Sequence, residues 1–493
     1  MKKISFRGAA WDSVFLTLAK ILTMAFGIVL SKIMSVGLSL EEYGTYSAAN
    51  IVTSIGTSLI LLGLGDAVNY YFNKKAENES PEDRFRIVNT VFFLEIAAGV
   101  ILAAAITLGR SLIVDYFENP ALFSLIPVVS LLPVFANLVY FYQMLYVSAG
   151  KAKQMSLYNL GMMILKIVSA YVSVYVLKNI FWIYVVLVLL DALQILVFKL
   201  TLRRVGISVN PFRISPAHIR PILAYSLPMG VYAMTSVLTR DIDKLIIGRL
   251  AGTENLAIYT NCSKLLPFDF LAVSFATVLI PYIVQYVTEN NRSMTVKLFS
   301  SYIKIGYYSV WILAAAVLIA PASMVSFLYA DAYTVGTPIF ILYVLDSMLR
   351  FASMHLILTA AGKSASLMLY SLISLVANTV LNIVLYYAIG MIGPAVATLV
   401  VAVLYTFLVL RKTIAVIGGT WREVFDLREI AVFVLSLAIL WTGGFLLNGF
   451  LLTLGVHKYV SMILCAALFG IAALVIHRKK IFGVLKEINT FKR

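Results

Sequence analysis

The chain has 493 residues, 61% of them hydrophobic and 13% charged, with a mean hydropathy of +0.94 and a formal net charge of +16. Soluble domains carry about 25% charged residues, which excludes a soluble enzyme or a nucleic-acid-binding module. The basic residues punctuate long apolar runs, so they report topology rather than affinity for nucleic acid.

The runs recur from end to end, which predicts an all-α polytopic membrane protein with about 14 transmembrane helices. A transmembrane barrel would show short alternating segments instead. The expected spans are 9–36, 43–72, 87–110, 121–147, 155–177, 180–200, 218–250, 256–287, 300–328, 335–361, 365–389, 391–411, 429–452 and 457–477. The first lacks a short apolar region ending in a cleavage site, so it is expected to be retained.

Taken in order, the first span carries Asp12, Lys20 and Lys32, and the second ends GLGDAVNYYFN, with Asp66, Asn69 and Asn73. The third holds Glu95, the fifth Lys166 and the sixth Asp191. Lys32 and Asp191 are read as snorkelling from helix ends. The longest connection, TLRRVGISVNPFRISPA at 201–217, contains Gly206, Pro211 and Pro216 and reads as a linker.

The seventh span, 218–250, contains Arg240, Asp241, Asp243 and Lys244. Each would cost about 2.5–3.5 kcal/mol at the bilayer centre, on the order of 10 kcal/mol together if unpaired. This helix is therefore expected to face a polar cavity or partner helices. A plainer reading is mutual neutralisation, because the Arg240–Lys244 and Asp241–Lys244 spacings bring side chains together. The eighth span has Asn261, Lys264 and Asp269. In the tenth, Asp346 and Arg350 stand at i, i+4 and read as a structural ion pair. In the eleventh, Asn378 and Asn382 read as helix–helix contacts.

Basic residues alternate between loops. One side holds Lys2, Lys3 and Arg7, then Lys74, Lys75, Arg84 and Arg86, and continues through every second loop to Arg478, Lys479, Lys480, Lys486, Lys492 and Arg493. The other side holds Lys32, Arg110, Lys178, Arg249 and Lys458. The ratio is about five to one, which predicts cytoplasmic termini.

An internal repeat divides the chain. SAGKAKQMSLYN (148–159) matches AAGKSASLMLYS (360–371), and EEYGTYSAAN (41–50) matches ENLAIYTNCS (254–263), at nearly one offset. Both halves start on the same side, as in parallel repeats related by an axis along the membrane normal. The expected organisation is an N-lobe (1–205), a cytoplasmic linker (206–217), a C-lobe (218–412) and two further helices with a tail (413–493).

A cavity between the halves lined by Lys20, Arg240, Lys244 and Lys264 would attract an anion, with Arg offering a fork for phosphate. Asp66, Glu95, Asp241, Asp243 and Asp269 are candidates for a coupling H⁺ or Na⁺, or for polar lining of the cavity. Nucleotide-binding loops, nucleophile elbows and metal-binding His–Glu patterns are missing from the sequence, so no enzyme, resident cofactor or metal is expected.

Three stretches resemble a known group. They are LSLEEYGTYSAANIVTSIGTSLILLGLGDAVNYY (38–71), YSLPMGVYAMTSVLTRDIDKLIIGRLAGTENLAIYTNCSKL (225–265) and AAGKSASLMLYSLISLVANTVLNIVLYYAIGMIGPAVATLV (360–400). The second opens Ser226-Leu227-Pro228 and carries Asp243 and Tyr259. The third carries Asn-x-x-Leu-Asn and Gly-x-x-Gly-Pro. Together they resemble Wzx-type lipid-linked oligosaccharide flippases of the multidrug/oligosaccharidyl-lipid/polysaccharide exporter superfamily. The resemblance implies 14 helices in two lobes. It also implies movement of undecaprenyl-diphosphate-linked glycan across a bacterial plasma membrane by alternating access, beside a glycan polymerase and glycosyltransferases. The competing readings are cation-coupled export of small molecules, as in the drug-extruding branch, and a non-transporting assembly scaffold.

Overall fold

The computed structural model describes residues 6–61, 64–65, 67–68, 81–204, 206–266, 268 and 270–490. In chain order its helices are α1 (Phe6–Gly37), α2 (Leu40–Leu61), α3 (Pro81–Leu108), α4 (Arg110–Phe117), α5 (Leu122–Val129), α6 (Leu131–Ser148), α7 (Ala152–Tyr171), α8 (Ile180–Arg203), α9 (Pro216–Leu250) and α10 (Thr253–Cys262). There follow α11 (Phe270–Thr288), α12 (Arg292–Val317), α13 (Pro321–Leu328), α14 (Thr337–Leu349), α15 (Leu356–Ala360), α16 (Ser364–Ile389), α17 (Gly393–Val416), α18 (Trp421–Val424), α19 (Leu427–Thr453) and α20 (Lys458–Thr490).

The expected spans coincide with these helices or with broken pairs, the end of the second (62–63, 66 and 69–72) lying outside the described residues, and the chain is a polytopic helical membrane protein. Among the described residues, eight helical runs are long and apolar enough to cross a membrane, or nine counting a bent pair. One of the eight, Ala365–Val416, has 52 residues. At 1.5 Å per residue it measures about 78 Å, more than twice the ~30 Å hydrocarbon core, and it is divided into α16 and α17 at Gly390–Ile392.

Four expected spans are divided, the 121–147 run among them, between α5 and α6 at Ser130. The 300–328 run bends by 87° between α12 and α13, where Pro321 opens the second piece and cannot donate the amide a continuous helix needs. The 256–287 run is divided into α10 and α11, and the 335–361 run into α14 and α15.

The repeat is visible in local geometry. After α6, Gly150 has φ +71°, its amide bonds Val147 O at 3.0 Å, and Lys151 N bonds Tyr146 O at 2.9 Å. After α15, Gly362 has φ +68°, with Gly362 N to Thr359 O at 3.1 Å and Lys363 N to Leu358 O at 2.8 Å. Both are the left-handed glycine cap whose following amide reaches back over the last helical turn. The matched Gly-Lys pairs therefore make the same turn twice.

The chain packs as two units, Met1–Ala257 and Ile258–Arg493. The expected linker at 206–217 lies within the first of these units. The packing boundary falls later, so α9 lies in the first unit. There, Phe92, Phe141, Tyr142, Tyr146 and Phe198 form a buried aromatic core with Val88, Val91 and Leu145. The α2 helix approaches the start of α10 so closely that a Cβ on Gly44 would stand 2.0 Å from Thr253 O. The α9 C-terminus is tied to α4. Arg249 Nη1 donates to Asp115 O at 2.9 Å and to Glu118 Oε1 at 2.8 Å, and the Tyr116 hydroxyl donates to Leu245 O at 3.3 Å.

The second unit is built on α12, whose Tyr307, Tyr308 and Trp311 pack with Phe351 and Phe433. Ion pairs fasten the last helices to it: Arg292–Glu423 at 3.2 Å, Lys297–Glu487 at 3.6 Å and Lys304–Glu429 at 2.8 Å. Glu423 also closes a capping box with Thr420. Bonds from Thr420, then the charge of Arg292, hold its carboxyl below the usual glutamate range.

Candidate functional site

The four charged residues of α9 are brought together with Ser54 of α2, within the first unit. Helical spacing puts Arg240 one turn before Lys244, and Asp241 three residues before it, so the three head groups converge. Asp241 is the hub. Its Oδ2 accepts from the Ser54 hydroxyl at 2.8 Å and from Arg240 Nη2 at 3.2 Å, and its Oδ1 accepts from Lys244 Nζ at 3.1 Å and from Arg240 Nε at 3.4 Å. Arg240 Nη2 also donates to Ser54 Oγ at 2.9 Å. The Lys244 ammonium donates to Arg240 O at 2.8 Å and lies 3.6 Å from Asp243. Asp243 Oδ1 in turn accepts from the Lys244 amide at 2.8 Å. One ammonium thus reaches both carboxylates, although they stand on different faces of the helix.

The node holds two cations and two anions and is formally neutral, but its members are unequal. The side chains of Asp241, Asp243 and Lys244 are 9%, 2% and 12% exposed, whereas that of Arg240 is 60% exposed. Arg240 also makes the longest contacts to Asp241. Ser54 and Lys244 hold that carboxylate independently, so it keeps two partners if Arg240 turns away. Nη1 of Arg240 has no hydrogen bond among the described residues. Arg240 is therefore the member free to take a planar, doubly acceptor anion, while Lys244 balances the buried aspartates. From Leu250, Arg240 lies ten residues back, about 15 Å along the axis.

The other expected site residues fall elsewhere. Lys264 belongs to the second unit, where its ammonium donates to Asn261 Oδ1 at 2.8 Å and lies 5.6 Å from the centre of the Tyr329 ring. Glu95 is 1% exposed on α3. Both of its oxygens lack a hydrogen-bond partner among the described residues. Asp66, Asp269 and the Lys20 side chain lie outside the described residues.

Asp346 and Arg350 form the expected ion pair at 2.8 Å. Asn378 and Asn382 are both buried on α16. Asp191 does not snorkel. It sits midway along α8, buried, 2.7 Å from Lys166 Nζ, because α7 supplies a counter-ion at the same depth. Beside it, Asn159 Oδ1 accepts from Gln194 at 2.8 Å and Gln143 at 3.2 Å.

Sequence reasoning missed Ser54, one hydroxyl among many on α2. It also missed the polar network of the second unit, in which Glu429 accepts from Lys304 and from the Tyr308 hydroxyl at 2.7 Å, while Ser436 and His477 share a 2.7 Å bond. Glu429 is the first residue of the expected span 429–452, and its position beside Arg428 was the available signal.

The profile of a family described as polysaccharide biosynthesis protein matches residues 33–338, more than half of the chain. The chain belongs to that family. A search of curated protein sequences finds no match. Among solved structures, the fold is similar to that of lipid II flippase MurJ in an inward closed conformation, with TM-score 0.72 and 14% identity over 96% of this chain and 100% of that one. It is also similar to an inward-facing multidrug resistance MATE family transporter of the MOP superfamily, with TM-score 0.60 and 15% identity over 83% of this chain and 98% of that one. A third likeness is to a MOP superfamily transporter from Pyrococcus furiosus, with TM-score 0.54 and 14% identity over 83% and 95% of the two chains. At these identities the likeness is one of fold. The family is one of polysaccharide biosynthesis, and the fold is one that these solved membrane proteins share.

Proposed function

We propose that this protein flips undecaprenyl-diphosphate-linked oligosaccharide from the cytoplasmic to the outer leaflet of a bacterial plasma membrane, by alternating access. Family membership in polysaccharide biosynthesis and a transporter fold support the class of activity. The observation that carries the anionic substrate is Arg240, an exposed guanidinium on a buried, self-balanced polar node. In this reading a diphosphate exchanges for Asp241 as the partner of Arg240, and Ser54 and Lys244 keep Asp241 satisfied. The polar headgroup crosses without desolvation, and the isoprenoid tail stays in lipid. An inside-negative potential favours outward movement of the anion by about 2.3 kcal/mol per charge per 100 mV. Lys20 and Lys264 are proposed as further cations along the route. Glu95, buried without a partner among the described residues, is proposed as the coupling-ion position, where an ionised carboxylate would otherwise bear an uncompensated desolvation cost of several kcal/mol. Asp66 and Asp269 are proposed as polar residues of the same pathway.

A second reading, cation-coupled export of small molecules, draws on the balanced charge of the node and on Glu95. Proteoliposomes containing fluorescent polyprenyl-diphosphate glycan separate the two. Flipping that depends on the diphosphate and falls at least tenfold in Arg240→Gln supports the first. Undiminished flipping in that variant, or none by the wild type alongside extrusion of a cationic dye, refutes it.

A further inference from the structure

The α20 helix is 33 residues long, about 50 Å, against a ~30 Å hydrocarbon core. Its N-terminus is held at one end of the second unit, where Lys458 Nζ lies 2.6 Å from Asp331. Twenty residues later, about 30 Å along the axis, come Arg478, Lys479 and Lys480.

The helix keeps one exposed stripe throughout. Leu464, Leu468, Ile471 and Val475, spaced by three or four residues, are 44–61% exposed in a membrane-spanning segment, so they face acyl chains. The same steps lead to Arg478 and Lys479, then Phe482, which is 69% exposed, then Lys486. The opposite face is committed inward. Lys480 Nζ approaches Glu429 at 4.0 Å, Glu487 pairs with Lys297, and Val484 and Ile488 are buried. Arg478, Lys479 and Lys486 have no carboxylate partner among the described residues.

The neighbouring α19 repeats the arrangement. Its exposed apolar stripe of Ile439, Leu435 and Val432 ends on the exposed Arg428, also without a carboxylate partner among the described residues. The Glu429–Lys480 contact places the two basic ends at one depth. Cations at the end of a lipid-facing apolar stripe stand where phosphodiester headgroups begin, with Phe482 as an interfacial anchor.

The geometry points to a resident lipid site: Arg428, Arg478, Lys479 and Lys486 hold the phosphates of anionic glycerophospholipid against the ends of α19 and α20. This is independent of what the protein transports. The site fastens the last two helices to the headgroup layer, and its ligand is a bulk membrane lipid, distinct from any cargo held at Arg240.

The test uses the full chain reconstituted in phosphatidylcholine vesicles containing trace spin-labelled phosphatidylglycerol or spin-labelled phosphatidylcholine. The fraction of each label immobilised at the protein surface gives a relative association constant. Surface attraction amounts to about fivefold per cation, so wild type is expected to prefer phosphatidylglycerol at least fivefold. Arg428→Gln, Arg478→Gln, Lys479→Gln and Lys486→Gln combined should bring the ratio to within twofold of unity. A charge-matched control, Lys178→Gln, Lys199→Gln, Arg204→Gln and Lys363→Gln, should keep at least half of the wild-type preference. The proposal is overturned if the first variant retains the preference, or if the control loses as much. It is also overturned if equimolar polyprenyl diphosphate displaces the labelled phosphatidylglycerol, which would make these cations part of the substrate route.

Discussion

Two cations four residues apart on α9 should behave in opposite ways. Replacing Lys244 by Met removes an ammonium that is 12% exposed and that bonds Asp241 Oδ1 at 3.1 Å and Arg240 O at 2.8 Å. Asp241, 9% exposed, is left with Arg240 and Ser54, and Asp243, 2% exposed, loses an ammonium 3.6 Å away while keeping the bond from the residue-244 amide. Breaking a buried pair by removing one partner costs about 3–5 kcal/mol. That accords with losing two charge-assisted bonds at roughly 1.5–3 kcal/mol each. Arg240→Gln instead removes a 60%-exposed guanidinium whose contacts to Asp241 are 3.2 and 3.4 Å, and exposed pairs contribute about 0–1 kcal/mol. Denaturant unfolding of the purified chain in mild detergent should therefore rank Lys244→Met far below wild type and Arg240→Gln within about 1 kcal/mol of it. Diphosphate-lipid flipping, normalised to folded protein, should rank them in reverse. Adding Asp241→Asn to Lys244→Met should recover part of the stability, because a buried carboxylate that has lost its nearest cation, 3.1 Å away, becomes neutral. If Arg240→Gln unfolds as readily as Lys244→Met, or if Lys244→Met is as stable as wild type, the division between a structural lysine and a ligand-facing arginine is wrong.

Lys166→Met should destabilise the first unit by about 3–5 kcal/mol, since Asp191 is buried 2.7 Å away; the double replacement Lys166→Met/Asp191→Leu should cost less than either single change in the same unfolding assay. Gly150→Ala and Gly362→Ala should each cost about 1–2 kcal/mol through backbone strain alone, since neither added Cβ meets an atom within 4 Å, and the two losses should add because the sites lie in separate units. Gly44→Val should be far more damaging than either, because a Cβ there would overlap Thr253 O; failure of the variant to survive detergent extraction would register it. Glu95→Gln should leave unfolding unchanged or improved, while making flipping insensitive to an imposed proton or sodium gradient; retention of wild-type gradient dependence would remove Glu95 from the coupling route.

Membrane residence and helical architecture were legible in the chain alone, because backbone in hydrocarbon must satisfy its own hydrogen bonds and so reads as long apolar runs. The repeat was legible too: Gly150 and Gly362 mark a turn that only a left-handed residue caps cheaply, and both do so in the structure. The Asp346–Arg350 pair followed from helical spacing, which is a local property. Partnerships between helices were not local. Nothing in the one-dimensional pattern says that Ser54 meets Asp241 across 187 residues, that Lys166 answers Asp191, or that Glu429 collects Lys304 and Tyr308. Four charges within one span announced a polar node. Which of them is buried as a counter-ion and which is left with open donors depends on how α2 lies against α9, and that is set by packing along the interface and by the close approach of Gly44 to Thr253 just beyond the end of α9. Periodicity specifies which face of a helix turns inward; only the packed bundle specifies what that face meets.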